Sequence, residues 1–250
     1  YFRALAQYIE VRFDMSASDA AALTAAIKEA LGTDVTMHTA EAYAEKLRAF
    51  LPRHQAENGF QIITGDAARA AAEYAAKTAY KETDAATYQA MEALVHNLNT
   101  MNSRAGAQVP FSSLNYGTDT SPEGRMAVHN LLRATEAGLG DGETPIFPVQ
   151  IFKVKEGVNY NEGDPNYDLF RHALRCSAKR LFPNFSFLDA PFNLQYYKPG
   201  DYNTEVAYMG CRTRVMGNVF DNTKEVTCGR GNLSSVSYTH LRAHETGRNL

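Results

Sequence analysis

Cysteine is scarce in this sequence: 250 residues carry three, Cys176, Cys211 and Cys228, with no CxxC pair and no ligand cluster around them. An odd count so widely spaced argues against a disulfide framework, so any cysteine chemistry here is that of a free thiol. No window approaches the ~18 consecutive apolar residues that a membrane-spanning helix needs. Nor does the N-terminus run through the basic, apolar and small-residue zones of a secretory signal, so a cytoplasmic protein without a membrane partner is expected. Positive charge is not in excess, because 25 Lys and Arg stand against 28 Asp and Glu, a formal net charge of −3. That leaves no basic field to attract nucleic acid, and no block of like charge reads as a tail. The chain also opens at Tyr1 without an initiator methionine or the cap of a domain edge, which reads as a fragment. With 44% hydrophobic residues it still has the apolar content to bury a core.

What is present divides by texture. From Tyr1 to about Leu98 the sequence is alanine-rich with helical period, and "ASDAAALTAAIKEALG" carries an N-cap signal at Ser16 or Ser18 and a closing Gly32. A helix is predicted after Thr83 and Asp84, with Tyr88, Met91, Val95 and Leu98 on one face as core packing. The stretch "NLNTMNSRAGAQVPFSSLNYGTDTSPEGR" then reads as loop chemistry, dense in Asn, Ser, Gly and Thr. A helix over Arg125 to Ala137 turns Met126, Val128, Leu131 and Leu132 inward and stops at Gly138 and Gly140. "TPIFPVQIFKV" is a buried strand entered through Pro145 and Pro148. "DPNYDLFRHALRCSAKRLF" returns to helical spacing with Phe170, Ala173, Leu174, Ala178 and Leu181 near one face, and "NFSFLDA" and "EVAYMG" are further strands. That alternation predicts an α/β barrel or sheet rather than a bundle.

Two readings are open for Cys211. A free cysteine is most often a small buried apolar residue. Yet this one leaves a strand within "MGCRTR", where Gly210 permits an unusual backbone and two arginines follow, a setting that suits a reactive thiol on a loop entering a cavity. Nucleophilic use would need a histidine base, and no motif links His129 or His172 to it. The polar loop offers Asn102, Ser103, Arg104, Gln108, Ser112 and Ser113 as convergent donors and acceptors for a hydroxyl-rich or phosphorylated ligand, or else as a self-satisfied capped loop. "TCGRGN" holds a GxG without the third glycine or lysine of a phosphate-binding signature. Cys228 and Cys176 are assigned no role.

The strings "HNLNTMNSRAGAQVPFSSLNYGTDTSPEGR", "ATEAGLGDGETPIFPVQIFKVKEGVNYNEGDPNYDLF", "SAKRLFPNFSFLDAPFNLQYYKPG" and "TEVAYMGCRTRVMGNVFD" closely resemble the anaerobic (class III) ribonucleoside-triphosphate reductase family. The resemblance runs from about Lys81 to Ser234 and is looser from Tyr1 to Tyr80. It implies part of a ten-stranded α/β barrel over residues 81–234, whose finger loop presents a cysteine to the ribose; Cys211 matches that cysteine. It further implies a glycyl radical near the C-terminus that converts the thiol to a thiyl radical, and a zinc site beyond the segment seen here. Asn232 matches the position where asparagine accompanies formate as reductant. Residues 1–80 match the helical part that forms the homodimer and the ATP and dNTP effector site, and a radical-SAM enzyme is the implied activating partner.

The resemblance also has limits. The upstream cysteine and the "HGGQ"-type stretch of the family would precede Tyr1, and the glycyl-radical segment and four-cysteine zinc site would follow the last residue. Residues 235–250, within "SVSYTHLRAHETGRNL", resemble an in-frame sequencing-adapter translation, so His240 and His244, although at i, i+4 spacing, are expected to hold no metal. As a piece of the reductase the segment is expected to be inactive alone. Competing readings are another glycyl-radical enzyme, disfavoured where two adjacent cysteines are required, and a nucleotide-binding or helical interaction module without chemistry.

Overall fold

Four helices lead the chain: α1 (Phe2–Arg12), α2 (Ala17–Leu31), α3 (Ala40–Asn58) and α4 (Gly65–Thr100). The computed structural model describes residues 1–58, 63–102, 109–209, 213–218, 221, 223 and 224. These fall into two compact units, one of Tyr1–Met91 with Ser121–Asn130, the other of Glu92–Thr120 with the described residues from Leu131 onward. Among the described residues no helix is long and apolar enough to cross a membrane.

The first unit is helical because its sequence supplies both the caps and the stripes. Ser16 caps α2 by accepting the Asp19 amide on Oγ at 3.1 Å, and Gly32, at φ +82°, ends it. Leu5, Ile9, Leu23, Ile27, Leu47 and Leu51 form its core, and α4 adds Ala68, Ala71, Ala72 and Ala75, small enough to let that core come close. One correction concerns α4, which runs unbroken for 36 residues instead of starting after Thr83 and Asp84. No Gly or Pro falls inside it after its first residue, Gly65, and the Asp84 side chain is occupied elsewhere. Thr83 gives its carbonyl to Thr87 Oγ1 at 2.7 Å, and Asp84 accepts from Asn130 Nδ2 at 2.7 Å. The expected stripe holds, with Val95 buried and Tyr88, Met91 and Leu98 half-buried.

The second unit is α/β. Strands β1 (Ser113–Tyr116), β2 (Val149–Val154) and β3 (Asn184–Phe187) form a parallel sheet in the order β1-β2-β3. The helices α5 (Pro122–Ala137), which contributes residues to both units, and α6 (Tyr167–Arg180) lie between the strands in sequence. Short α7 (Pro191–Leu194) and a 3₁₀ turn (Tyr202–Thr204) lead to an antiparallel pair, β4 (Ala207–Met209) and β5 (Thr213–Val215). Met126, Val128, Leu131 and Leu132 of α5 are buried as expected. Two expectations need correcting. β1 lies where loop chemistry was read, because its four half-buried residues take their order from the β2 ladder more than from their own apolarity. On α6 the inward face is Leu169, His172, Ala173 and Cys176, whereas Leu174 and Leu181 are exposed.

Candidate functional site

Strand alternation gives the parallel sheet two unlike faces. Tyr116, Gln150, Phe152, Val154 and Phe185 lie on one, which Phe170 of α6 covers by stacking on Phe152 at 6.0 Å and meeting Phe185 edge-on at 5.9 Å. A polar chain crosses this layer, with Tyr116 Oη donating to Gln150 Oε1 at 2.6 Å and Gln150 Nε2 donating to Thr135 Oγ1 at 2.8 Å. Cys176 is packed here, its Sγ 3.7 Å from the Leu132 carbonyl. Burial first, and then Glu136, push its thiol up to about 11, so it stays protonated and unreactive.

The opposite face carries Ser113 and Asn115 of β1, Val149, Ile151 and Lys153 of β2, and Asn184 and Ser186 of β3. It is markedly more polar. Asn184 Nδ2 and Ser186 Oγ are buried on it without a hydrogen-bond partner among the described residues.

Against this polar face sits β4. Asn115 Nδ2 donates to the Tyr208 carbonyl at 2.7 Å, and Asn115 Oδ1 accepts the Tyr208 amide at 2.8 Å. A second tie lies two residues before β4, where Lys153 Nζ pairs with Glu205 Oε1 at 2.7 Å, both side chains under 15% exposed. From β5, Arg214 donates through Nη1 to the Phe192 carbonyl at 3.1 Å and lies over the Phe192 ring at 5.6 Å. Gly217 closes the segment by donating to Asn203 O at 2.6 Å, and a Cβ there would stand 2.8 Å from that oxygen. Beside β4, Lys155, Asp189, Asn193, Tyr197 and Glu205 line a small cavity with Leu188, Leu194 and Val206. Burial disfavours the Lys155 charge, but the Tyr197 hydroxyl 3.2 Å away, with Glu205 and Asp189, raises its pKa overall.

The strand ends below are tied by asparagine. Asn159 Nδ2 and Asn166 Nδ2 both donate to the Gly117 carbonyl, at 2.9 and 3.1 Å, as the chain leaves β1. Asn159 also takes the Lys155 amide on Oδ1 at 2.9 Å, and Asn166 reaches the Asp119 carbonyl at 2.7 Å. Both asparagines are fully buried, so these bonds fix the C-terminal edge of the sheet, where α/β proteins assemble their sites.

Cys211 is the middle of the three residues joining β4 to β5 and lies outside the described residues, as do Asn232, Ser103, Arg104 and Gln108. Of the remaining predicted ligand-binding residues, Ser113 falls on the polar face. Ser112 accepts the Val149 amide on its backbone carbonyl at 2.8 Å while its Oγ donates to the Pro110 carbonyl at 3.4 Å, and Asn102 is exposed just past α4. Asn115, Lys153 and Glu205 were not singled out from sequence. The available signal was the period-2 alternation of "SLNY" and of "IFKV", which puts Asn115 and Lys153 on the face away from Tyr116 and Phe152.

Comparison with known proteins agrees with the resemblance. The anaerobic ribonucleoside-triphosphate reductase of Escherichia coli is 34% identical over 151 residues, which is 60% of this chain and 20% of that protein. The reductase of the same name from Salmonella typhimurium is 33% identical over 160 residues, 64% of this chain and 21% of its own length. That from Haemophilus influenzae is 34% identical over 151 residues, 60% of this chain. The chain thus spans about a fifth of the length of these curated relatives. A family model described as anaerobic ribonucleoside-triphosphate reductase matches residues 41–239, well over half of the sequence, and the chain therefore belongs to that family.

Proposed function

We propose that this chain is a segment of the catalytic barrel of an enzyme that reduces ribonucleoside triphosphates to 2′-deoxyribonucleoside triphosphates by radical chemistry, with formate as reductant. The observation that carries this reading is the seating of β4 on the polar sheet face by Asn115 and by the Lys153–Glu205 pair, with Cys211 in the connection that follows. The parallel strands β1, β2 and β3 are read as part of the ten-stranded barrel, and β4 and β5 as the flanks of its finger loop.

The chemistry assigned to Cys211 is hydrogen-atom transfer. A glycyl radical outside this segment would supply the acceptor that makes the Cys211 sulfur a thiyl radical. The sulfur then takes the hydrogen atom from C3′ of the ribose, forming S–H as C3′–H breaks. The 2′-hydroxyl leaves with a proton as water, and formate provides two electrons and a proton as it becomes carbon dioxide. The thiol finally returns its hydrogen atom to C3′. No step requires a base at the thiol. Among the described residues the histidine of this unit's core, His172 of α6, is engaged with Glu136 of α5, at 3.2 Å. Asn232 is assigned to formate, and Asn102, Ser103, Arg104, Gln108, Ser112 and Ser113 to the substrate's hydroxyl and phosphate groups. The remaining finer assignments, the homodimer and effector part over residues 1–80, the zinc site outside the segment and the radical-SAM activating partner, rest on family membership.

The test is anaerobic turnover of CTP by the activated full-length reductase carrying this segment, with ¹⁴C-formate. One carbon dioxide released per dCTP formed, and loss of that coupling in Asn232→Ala, is the expected result. Reduction that proceeds unchanged without formate would overturn the reductant assignment, and no dCTP at all would overturn the function.

A further inference from the structure

We infer that Asn115 is a positioning residue, which sets the register and depth of the β4–β5 pair and thereby the place from which Cys211 meets the ribose; this rests on the function proposed above. The basis is the match between a carboxamide and a peptide group. Each offers one N–H donor and one C=O acceptor in a plane, so an asparagine can pair with an exposed strand edge as another strand would. Asn115 does so at Tyr208, bonding both the carbonyl at 2.7 Å and the amide at 2.8 Å of the same residue. Tyr208 stands opposite Arg214 in the β4–β5 ladder, with Met209 and Thr213 the last pair before the connection. The clamp therefore sits three residues from Cys211 in sequence.

Its anchor is firm. Asn115 is held within β1 by pairing with Ile151, and the Gly117 carbonyl just beyond is fixed by Asn159 and Asn166. The Lys153–Glu205 pair ties the approach to β4 down independently, three residues before Tyr208. It leaves open, however, where β4 itself lies along β1. Among the described residues, the Asn115 side chain, which bonds both polar atoms of Tyr208, is the contact that joins β1 to β4 by hydrogen bonds and so fixes that. No other side chain of similar size can substitute, because aspartate has no donor at neutral pH and leucine has neither partner.

Hydrogen transfer from C3′ falls steeply with misplacement of the sulfur, and an error of about 1 Å costs on the order of 10²-fold in rate. The test uses the activated full-length reductase with Asn115→Asp and Asn115→Ala. Both are expected to form the glycyl radical to the wild-type extent by EPR, to lose at least ~10-fold in turnover, and to show a larger isotope effect with 3′-deuterated CTP. Amides of residues 207–215 should exchange faster while those of α5 and β2 do not. Wild-type turnover and isotope effect in both variants would overturn the inference, as would a loss of radical in proportion to activity or faster exchange throughout the unit. Cys211→Ser run alongside separates the two claims. If it keeps activity the proposed function fails, and if it is inactive while Asn115→Asp is normal only the clamp fails.

Discussion

Gly117 shows how much a single residue can constrain this unit. Its φ is +121°, a conformation that L side chains rarely adopt, and an added Cβ would stand 2.8 Å from the Lys153 carbonyl and 3.2 Å from the Phe152 ring. Gly117→Ala is expected to destabilise the unit by about 1–3 kcal/mol through strain and displacement of β2. A lowered melting temperature, with faster exchange at β1 and β2, would register it. Cys176 makes a different prediction at the same scale. Its buried thiol, shifted up to about 11, keeps its proton in the fold after an unfolded chain would have lost one. The stabilisation this brings is fully present below the ordinary thiol pKa and disappears as the pH rises through about 11. In iodoacetamide mapping at pH 8, Cys176 should be modified only after denaturant is added. Rapid labelling of the native protein would mean that this face of α6 is not packed against α5.

Among the elements, α5 depends on α6 at its last turn. Arg180 donates through Nε to the Glu136 carbonyl at 2.9 Å, through Nη2 to Ala137 O at 2.8 Å and through Nη1 to Gly142 O at 2.5 Å. On Glu136 and Ala137, at the end of α5, the guanidinium meets both the hydrogen-bonding need of orphan carbonyls and the negative end of the helix dipole. Arg180→Met, which keeps the stem but not the donors, should cost about 2 kcal/mol and expose the amides of residues 137–143 to exchange. Glu136 supplies a pH dependence to the same helix pair. Burial raises its pKa, but hydrogen bonds from Arg175 and His172 outweigh burial, and the carboxyl lies below the usual range. Its contribution is therefore present above the ordinary glutamate pKa of about 4.3 and is lost as the pH falls through the lower folded value. Glu136→Gln should flatten the acid limb of a plot of melting temperature against pH.

How far these elements were readable from sequence follows from how local their causes are. The Gly32 stop of α2 and its N-cap, Ser16 of the two candidates, the inward residues of α5 and the Pro148-led start of β2 are encoded within a few residues and are legible in the sequence. β1 was missed because "SLNY" has only two apolar residues, and parallel ladder bonds to β2 are what make it a strand. The inward face of α6 was misjudged because burial there includes His172, held by Glu136, while Leu174 and Leu181 spend their apolar surface on solvent. The site shows the same division. Cys211 stood out through its neighbours in sequence, whereas Asn115 and Lys153 matter through partners 93 and 52 residues away.

At the scale of the whole chain, the α/β unit uses its sheet asymmetrically. One face is buried aromatic packing under helices, and the other is a polar surface that receives β4 through a side-chain amide and a largely buried ion pair. Removing one partner of such a pair leaves the other charge uncompensated, so Lys153→Met is expected to loosen residues 205–209 and cost about 3 kcal/mol. The double variant Lys153→Met, Glu205→Leu should recover much of that loss, as measured by thermal melting of the full-length protein. On the proposed function, this surface holds Cys211 against a ribose. The most direct measurement compares wild type and Cys211→Ser in the activated full-length reductase, following the glycyl radical by EPR and dCTP formation from CTP and formate. The radical is expected to form in both, and dCTP only in the wild type. Sustained dCTP formation by Cys211→Ser would contradict it.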